Sequence, residues 1–172
     1  MINGVRKSAR RLARIYFCSR LTVTLGSLIA CSEIDTLHAS TELHLNPGQS
    51  RTVVVPAKAN WTGTGVVVKR GEVYRFESLP PDRWYDFYYP TSARGYSSLP
   101  FQSHWESKRR VPLAPWFSLC GSIGRAGKAF QIHINEDEPL PGNGEVGLFT
   151  NDVPSAYWNN WGSLHVRITR IR

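Results

Sequence analysis

The densest group of oxygen donors in the chain lies in one short segment, Asn151-Asp152-Val153-Pro154-Ser155-Ala156-Tyr157-Trp158-Asn159-Asn160-Trp161-Gly162. It offers one carboxylate, on Asp152, and side-chain carbonyls on Asn159 and Asn160. Pro154 and Ser155 favour a turn that brings Asp152 back towards the two asparagines. Hard cations such as calcium take six to eight oxygens and readily mix carboxylate, amide and backbone donors. By spacing alone the segment is either such a cation loop or an Asx-rich turn that hydrogen-bonds to itself.

Other chemistry-bearing residues are more scattered. Glu136-Asp137-Glu138 before Pro139 reads as an acidic, solvated hairpin tip, and Lys108-Arg109-Arg110 as a basic loop run. His133 and His165 each fall on the polar face of a strand, without metal-ligand spacing. There is no Gly-x-Ser-x-Gly, no paired-cysteine metal motif and no phosphate-binding loop, so the sequence gives no reason to expect an enzyme.

The elements that must position the oxygen-rich segment read as all-β. Gly and Pro recur along the chain, and no stretch sustains a helical period. Expected strands are Thr41–Leu45, Thr52–Val55 ended by Pro56, Gly65–Val68, Glu72–Phe76, Trp116–Ile123 broken by Gly121, Phe130–Ile134, and Glu145–Phe149 after the turn Pro141-Gly142-Asn143-Gly144. In the last strand Leu164, Val166 and Ile168 point one way and His165, Arg167 and Thr169 the other. About eight short strands with turns every 8–12 residues predict an antiparallel two-sheet β-sandwich. Residues 79–112 are expected to form a long irregular excursion, and the oxygen-rich segment a loop at one end of the sandwich.

The first 41 residues read differently. Residues 1–20 hold Arg6, Lys7, Arg10, Arg11, Arg14 and Arg20 and no acid, and the apolar run Leu21–Ala30 follows. That run is too short to span a bilayer, and the layout is that of a secretory signal. Leu28-Ile29-Ala30-Cys31 resembles the lipobox of bacterial lipoproteins. This implies a cleaved signal peptide at residues 1–30, a diacylglycerol on Cys31, a lipidated tether over residues 31–41 and one domain at 42–172. Ser32, with no Asp after the cysteine, leans by that family's sorting habit towards the outer membrane of a bacterial envelope. Removing residues 1–30 takes six of the 21 Lys and Arg and none of the 13 Asp and Glu, so the remainder carries 15 against 13. That near-balance gives no footprint for nucleic acid. Cys18 leaves with the signal and Cys31 carries lipid, so Cys120, within Trp116-Phe117-Ser118-Leu119-Cys120, is expected to be a solitary, inert core thiol.

Residues 148–168 resemble the bacterial galactophilic calcium-dependent lectins, the PA-I-like lectin family. Asn151, Asp152, Val153, Pro154, Tyr157, Asn159, Asn160 and Gly162 match that family's calcium loop in register. Trp61-Thr62-Gly63-Thr64-Gly65-Val66 with Gly71 is similar to its second and third strands, Trp84 and its neighbours to its first binding loop, and Cys120-Gly121 to its Cys-Gly pair. The resemblance covers most of residues 50–170. It implies a jelly-roll-like sandwich holding one Ca2+. The side chains of Asp152, Asn159 and Asn160, the backbone carbonyl of Ala156, and a carbonyl of Phe87 or Tyr88 would be the ligands. It implies a glycan ligand whose vicinal hydroxyls complete the metal shell. Trp158 and Trp161 stand where the family has small residues, and either form a stacking platform with Tyr157 nearby or fill the sugar site. His104 and Gln102 fall in the region of the family's polar sugar contacts. Two functions of different class follow: a membrane-anchored, calcium-dependent carbohydrate-binding lipoprotein, or a periplasmic protein-binding lipoprotein, an inhibitor or immunity factor, that keeps the fold without binding sugar.

Overall fold

The computed structural model describes residues 42–172; the expected signal, tether and lipid-bearing Cys31 lie outside them. Ten strands form two five-stranded antiparallel sheets. The first is ordered β1 (Ser50–Pro56), β10 (Asn160–Arg170), β3 (Val73–Asp86), β4 (Tyr89–Thr91), with β8 (Asp137–Pro139) also on β3. The second is ordered β2 (Thr62–Val68), β9 (Gly144–Thr150), β6 (Trp116–Ile123), β5 (Arg94–Tyr96), with β7 (Phe130–Gln131) also on β6. The all-β sandwich expected from the punctuation is the fold observed.

The two sheets share one core because alternation aims apolar side chains inward from both. Val55, Phe76, Trp84, Leu164, Val166 and Ile168 from the first sheet pack in one cluster with Val66, Val68, Phe117, Leu119, Val146 and Leu148 from the second. β10 alternates as its sequence requires: Leu164, Val166 and Ile168 are fully buried, and His165 and Arg167 are exposed. Its register with β1 sets Val53 against Val166 and Val55 against Leu164. Trp84, fully buried, donates its indole N–H to the Val55 carbonyl at 3.0 Å, satisfying the one polar atom it brings into the core.

Several expected elements differ. The stretch 79–112 is largely regular. β3 continues to Asp86 because residues Arg83–Asp86 pair with Asn160–Ser163 of β10. Proline supplies no ladder donor, and the pairing skips Pro80, Pro81 and Asp82, which bulge opposite Leu164. Asp82 turns back there to accept both the backbone N–H of His165 at 2.7 Å and its ring Nδ1 at 2.6 Å. After β4 and β5 the excursion closes with a 3-10 segment, Pro100–Lys108. The acidic stretch at 136–138 is not simply a solvated tip: Asp137–Pro139 form β8 on β3, with Arg75 Nε 2.6 Å from Asp137. Leu43 makes only a parallel bridge to Val66, and β7 spans two residues rather than five. β6 runs through Gly121 unbroken.

Cys120 is fully buried beside Phe149 and Ala114 in a second apolar cluster, on the other face of the second sheet from the main core. Burial pushes its thiol up to about 12, which removes the thiolate on which cysteine reactivity depends.

Candidate cation site and aromatic cleft

The oxygen-rich segment joins β9 to β10, as expected. Fixed points shape it. Asn151, with no exposed surface, accepts from the Val111 N–H at 3.0 Å and donates to the carbonyls of Val111, Ala114 and Pro115 at 2.9–3.2 Å. Tyr157, buried, donates its hydroxyl to the Thr150 carbonyl at 2.5 Å, so it braces the loop rather than facing a ligand. The Ala156 N–H bonds to the Val153 carbonyl at 2.8 Å, and residues Tyr157–Asn159 make a 3-10 turn. Gly162 then opens the exposed path of β10 with φ +82°, and a Cβ there would lie 2.4 Å from the Arg83 carbonyl. Only glycine fits that left-handed, crowded position.

These constraints bring Asp152, Asn159 and Asn160 together. Asp152 is 2 % exposed, and its carboxylate accepts from the Val153 N–H at 2.6 Å and from Asn160 Nδ2 at 2.9 Å. The side-chain carbonyl oxygens of Asn159 and Asn160 are buried and have no hydrogen-bond partner. Two orphaned acceptors beside a buried carboxylate are unusual, since nearly all buried polar atoms are paired. A hard cation satisfies all three at once, so the residues present fit calcium. Burial raises the Asp152 carboxyl to about 6, against the lowering effect of its two N–H donors, and the neighbouring Asp86 charge raises it further. Among the described residues no three His, Cys, Asp or Glu side chains cluster as a metal site; the donor set here is mixed carboxylate and amide.

The site opens into a cleft of about 840 Å³ that Asp86, Asp152, Ala156 and Asn159 line together with aromatic side chains. Phe101, Tyr88 and Trp158 stand 76 %, 78 % and 73 % exposed around it. The polar wall is ordered: Gln102, itself buried, donates to the Tyr96 hydroxyl at 2.8 Å, and that hydroxyl donates to Asp86 at 2.5 Å.

The remaining candidates fall elsewhere. Trp161 does not line the cleft. Its ring stacks on Tyr85, centroids 3.7 Å apart and planes 3° from parallel, and its N–H donates to the Phe87 carbonyl at 2.5 Å. The Phe87 carbonyl, a candidate metal ligand, therefore already holds a donor; Phe87 itself has φ +54° and lines the cleft. His104 is exposed, 3.3 Å from Lys108 Nζ and edge-on to Trp105, outside the cleft lining. The sequence reading missed Asp86 and Tyr96 as site residues. For Asp86 the signal is register: it pairs directly with Asn160 across β3 and β10.

No protein-family model and no curated protein matches the chain. Among solved structures it is similar to a chain described as the EclA N-terminal domain, a PllA-like lectin, at 22 % identity and a TM-score of 0.47, covering 69 % of this chain and 94 % of that one.

Proposed function

We infer that the described domain is a calcium-dependent carbohydrate-binding module. The observation that carries this reading is the pair of orphaned carbonyl oxygens on Asn159 and Asn160 beside buried Asp152, at the wall of an aromatic-lined cleft. The side chains of Asp152, Asn159 and Asn160 and the Ala156 carbonyl would hold the cation, which supplies coordination positions for the vicinal hydroxyls of a sugar. Trp158 offers an exposed ring against which the apolar face of a sugar packs. The domain binds its glycan without transforming it, and Cys31 attaches it by lipid to the bacterial outer membrane. Display of many copies there multiplies a weak single-site affinity.

Glycan-array binding of the protein in calcium and in EDTA tests the module. Calcium-dependent signal is expected for at least one glycan class. Trp158→Ala is expected to reduce it about tenfold, the scale of one aromatic contact, while the melting temperature stays within about 2 °C because the ring is exposed. Absence of any calcium-dependent glycan signal rejects the carbohydrate reading. The exposed rings of Tyr88, Phe101 and Trp158 then favour the second function, capture of a protein partner, which a stoichiometric complex from envelope extract would establish.

Growth with a palmitate analogue tests the anchor. The chain is expected to take up label and Cys31→Ser to lose it entirely; equal labelling of both would remove lipidation at Cys31 from the reading.

A further inference from the structure

We propose that Asp86 is a second anionic ligand of the same cation site, held in place by Tyr96 and Gln102, so that the site presents two carboxylates to a divalent ion. The proposal rests on the cation reading above and adds a residue from a different strand. Asp86 is the direct register partner of Asn160 in the antiparallel pairing of β3 and β10. Residues opposite one another in such a pair project to the same face, with Cβ atoms about 5 Å apart. Asn160 is 3 % exposed and its side-chain oxygen has no partner, while its Nδ2 bonds to Asp152. Asp86 and Asp152 line the same cleft and repel one another electrostatically.

Two like charges in a half-buried site are costly unless something positive joins them. The structure places no Lys or Arg in the lining of this cleft. Arg110, whose backbone N–H bonds to the Asp152 carbonyl, turns its guanidinium over the Phe149 ring and donates to the Asn60 carbonyl. What the structure supplies instead is aim. One Asp86 oxygen accepts from Tyr96, whose hydroxyl is itself fixed by Gln102, and Gln102 is fixed by the Leu99 N–H at 3.0 Å. The other Asp86 oxygen accepts no hydrogen bond from the described residues. A three-residue relay that locks one carboxylate oxygen and leaves its twin open positions a ligand. A carboxylate kept for solubility would not need such a brace. Two carboxylates neutralise a divalent cation, which favours calcium over monovalent ions.

Titration calorimetry with calcium chloride, on wild type and on Asp86→Asn, Asp152→Asn and Tyr96→Phe, tests this. Asn at 86 keeps the acceptor for Tyr96 and removes only the charge. The expected result is a loss of calcium affinity of about tenfold or more in Asp86→Asn and about threefold in Tyr96→Phe, where the charge remains but its brace is gone. Melts in EDTA supply a readout that a structural role would not produce. Asp86→Asn is expected to melt at or above the wild-type temperature without calcium, because a repulsion is removed, and below it with calcium. If wild type and Asp86→Asn bind calcium within twofold of each other while Asp152→Asn does not bind, Asp86 is no ligand and the cation site stands without it. If wild type binds no calcium, the cation reading fails and this proposal with it. Should Asp86→Asn fail to fold, Tyr96→Phe decides, since unchanged affinity there overturns the relay.

Discussion

Asn151→Ala is expected to destabilise the domain by about 3 kcal/mol and lower its melting temperature by roughly 10 °C. Asn151 sits in the sequence beside the proposed ligand Asp152, yet its side chain faces away from the cleft. One amide spans the gap between the end of β9 and the approach to β6, bonding Val111 through both its N–H and its carbonyl and reaching the Ala114 and Pro115 carbonyls. The three carbonyls keep other donors, from Ala114 N–H, Arg109 and Ser118. Truncation therefore orphans chiefly the Val111 N–H. That half-buried donor costs about 1–3 kcal/mol, the lost bonds about 1 kcal/mol each are partly offset, and a small cavity remains. Asn151→Asp should fare no better, because its second oxygen would face carbonyls where an NH2 now donates. Urea unfolding monitored by tryptophan fluorescence measures both. A loss under 1 kcal/mol for Asn151→Ala would show that the backbone bonds of Asn151 to Phe117 and Ser118 hold the loop unaided.

Calcium is expected to raise the melting temperature of wild type and to leave Asp152→Asn unchanged. At calcium a hundredfold above the dissociation constant, a ligand specific to the folded state adds about 2.7 kcal/mol. The metal-free protein carries a matching penalty. Its Asp152 carboxyl stands at about 6, raised by burial above the ordinary 3.8, and that rise corresponds to about 3 kcal/mol of cost for the ionised form. The sign follows from proton binding. Between pH 4 and 6 the folded state holds a proton that the unfolded state has released, so this group's contribution to stability falls as pH rises through that window and stays low above it. In EDTA, wild type is therefore expected to gain stability relative to Asp152→Asn as pH falls from 8 to 5. With calcium at pH 8 the order reverses. Parallel pH profiles for the two proteins in EDTA would mean that Asp152 is not strained by burial, and no calcium shift in wild type would leave the segment an Asx-rich turn.

Much of the fold was legible because β10 writes its burial into alternation. Leu164, Val166 and Ile168 have one inward face whatever they pair with, and two sheets of such strands must close on each other. The segment 79–86 was not legible, because Pro80 and Pro81 look like the end of a strand. The chain resumes pairing at Arg83 only because β10 extends back to Asn160 to meet it. The short strands β4, β5 and β8 likewise exist through their partners: Pro90, Gly95 and Asp137 carry little β signal, and each segment becomes a strand by lying along an edge that offers unpaired N–H and C=O groups.

The candidate site divides along the same line. The sequence by itself determined the contiguous donors, since Asp152, Asn159 and Asn160 lie within one loop whose Pro154, Ser155 and Gly162 dictate a return. It also determined the sandwich class and the apolar setting of Cys120. Only the tertiary structure decided which neighbours those donors meet. It brought in Asp86 and Tyr96 from 56 or more residues upstream, spent Tyr157 on the Thr150 carbonyl, and turned Trp161 onto Tyr85 and away from the cleft. Donor type and local turns are properties of a short stretch of chain. The approach of one strand to another is set by how the whole core closes, and no window of sequence contains it.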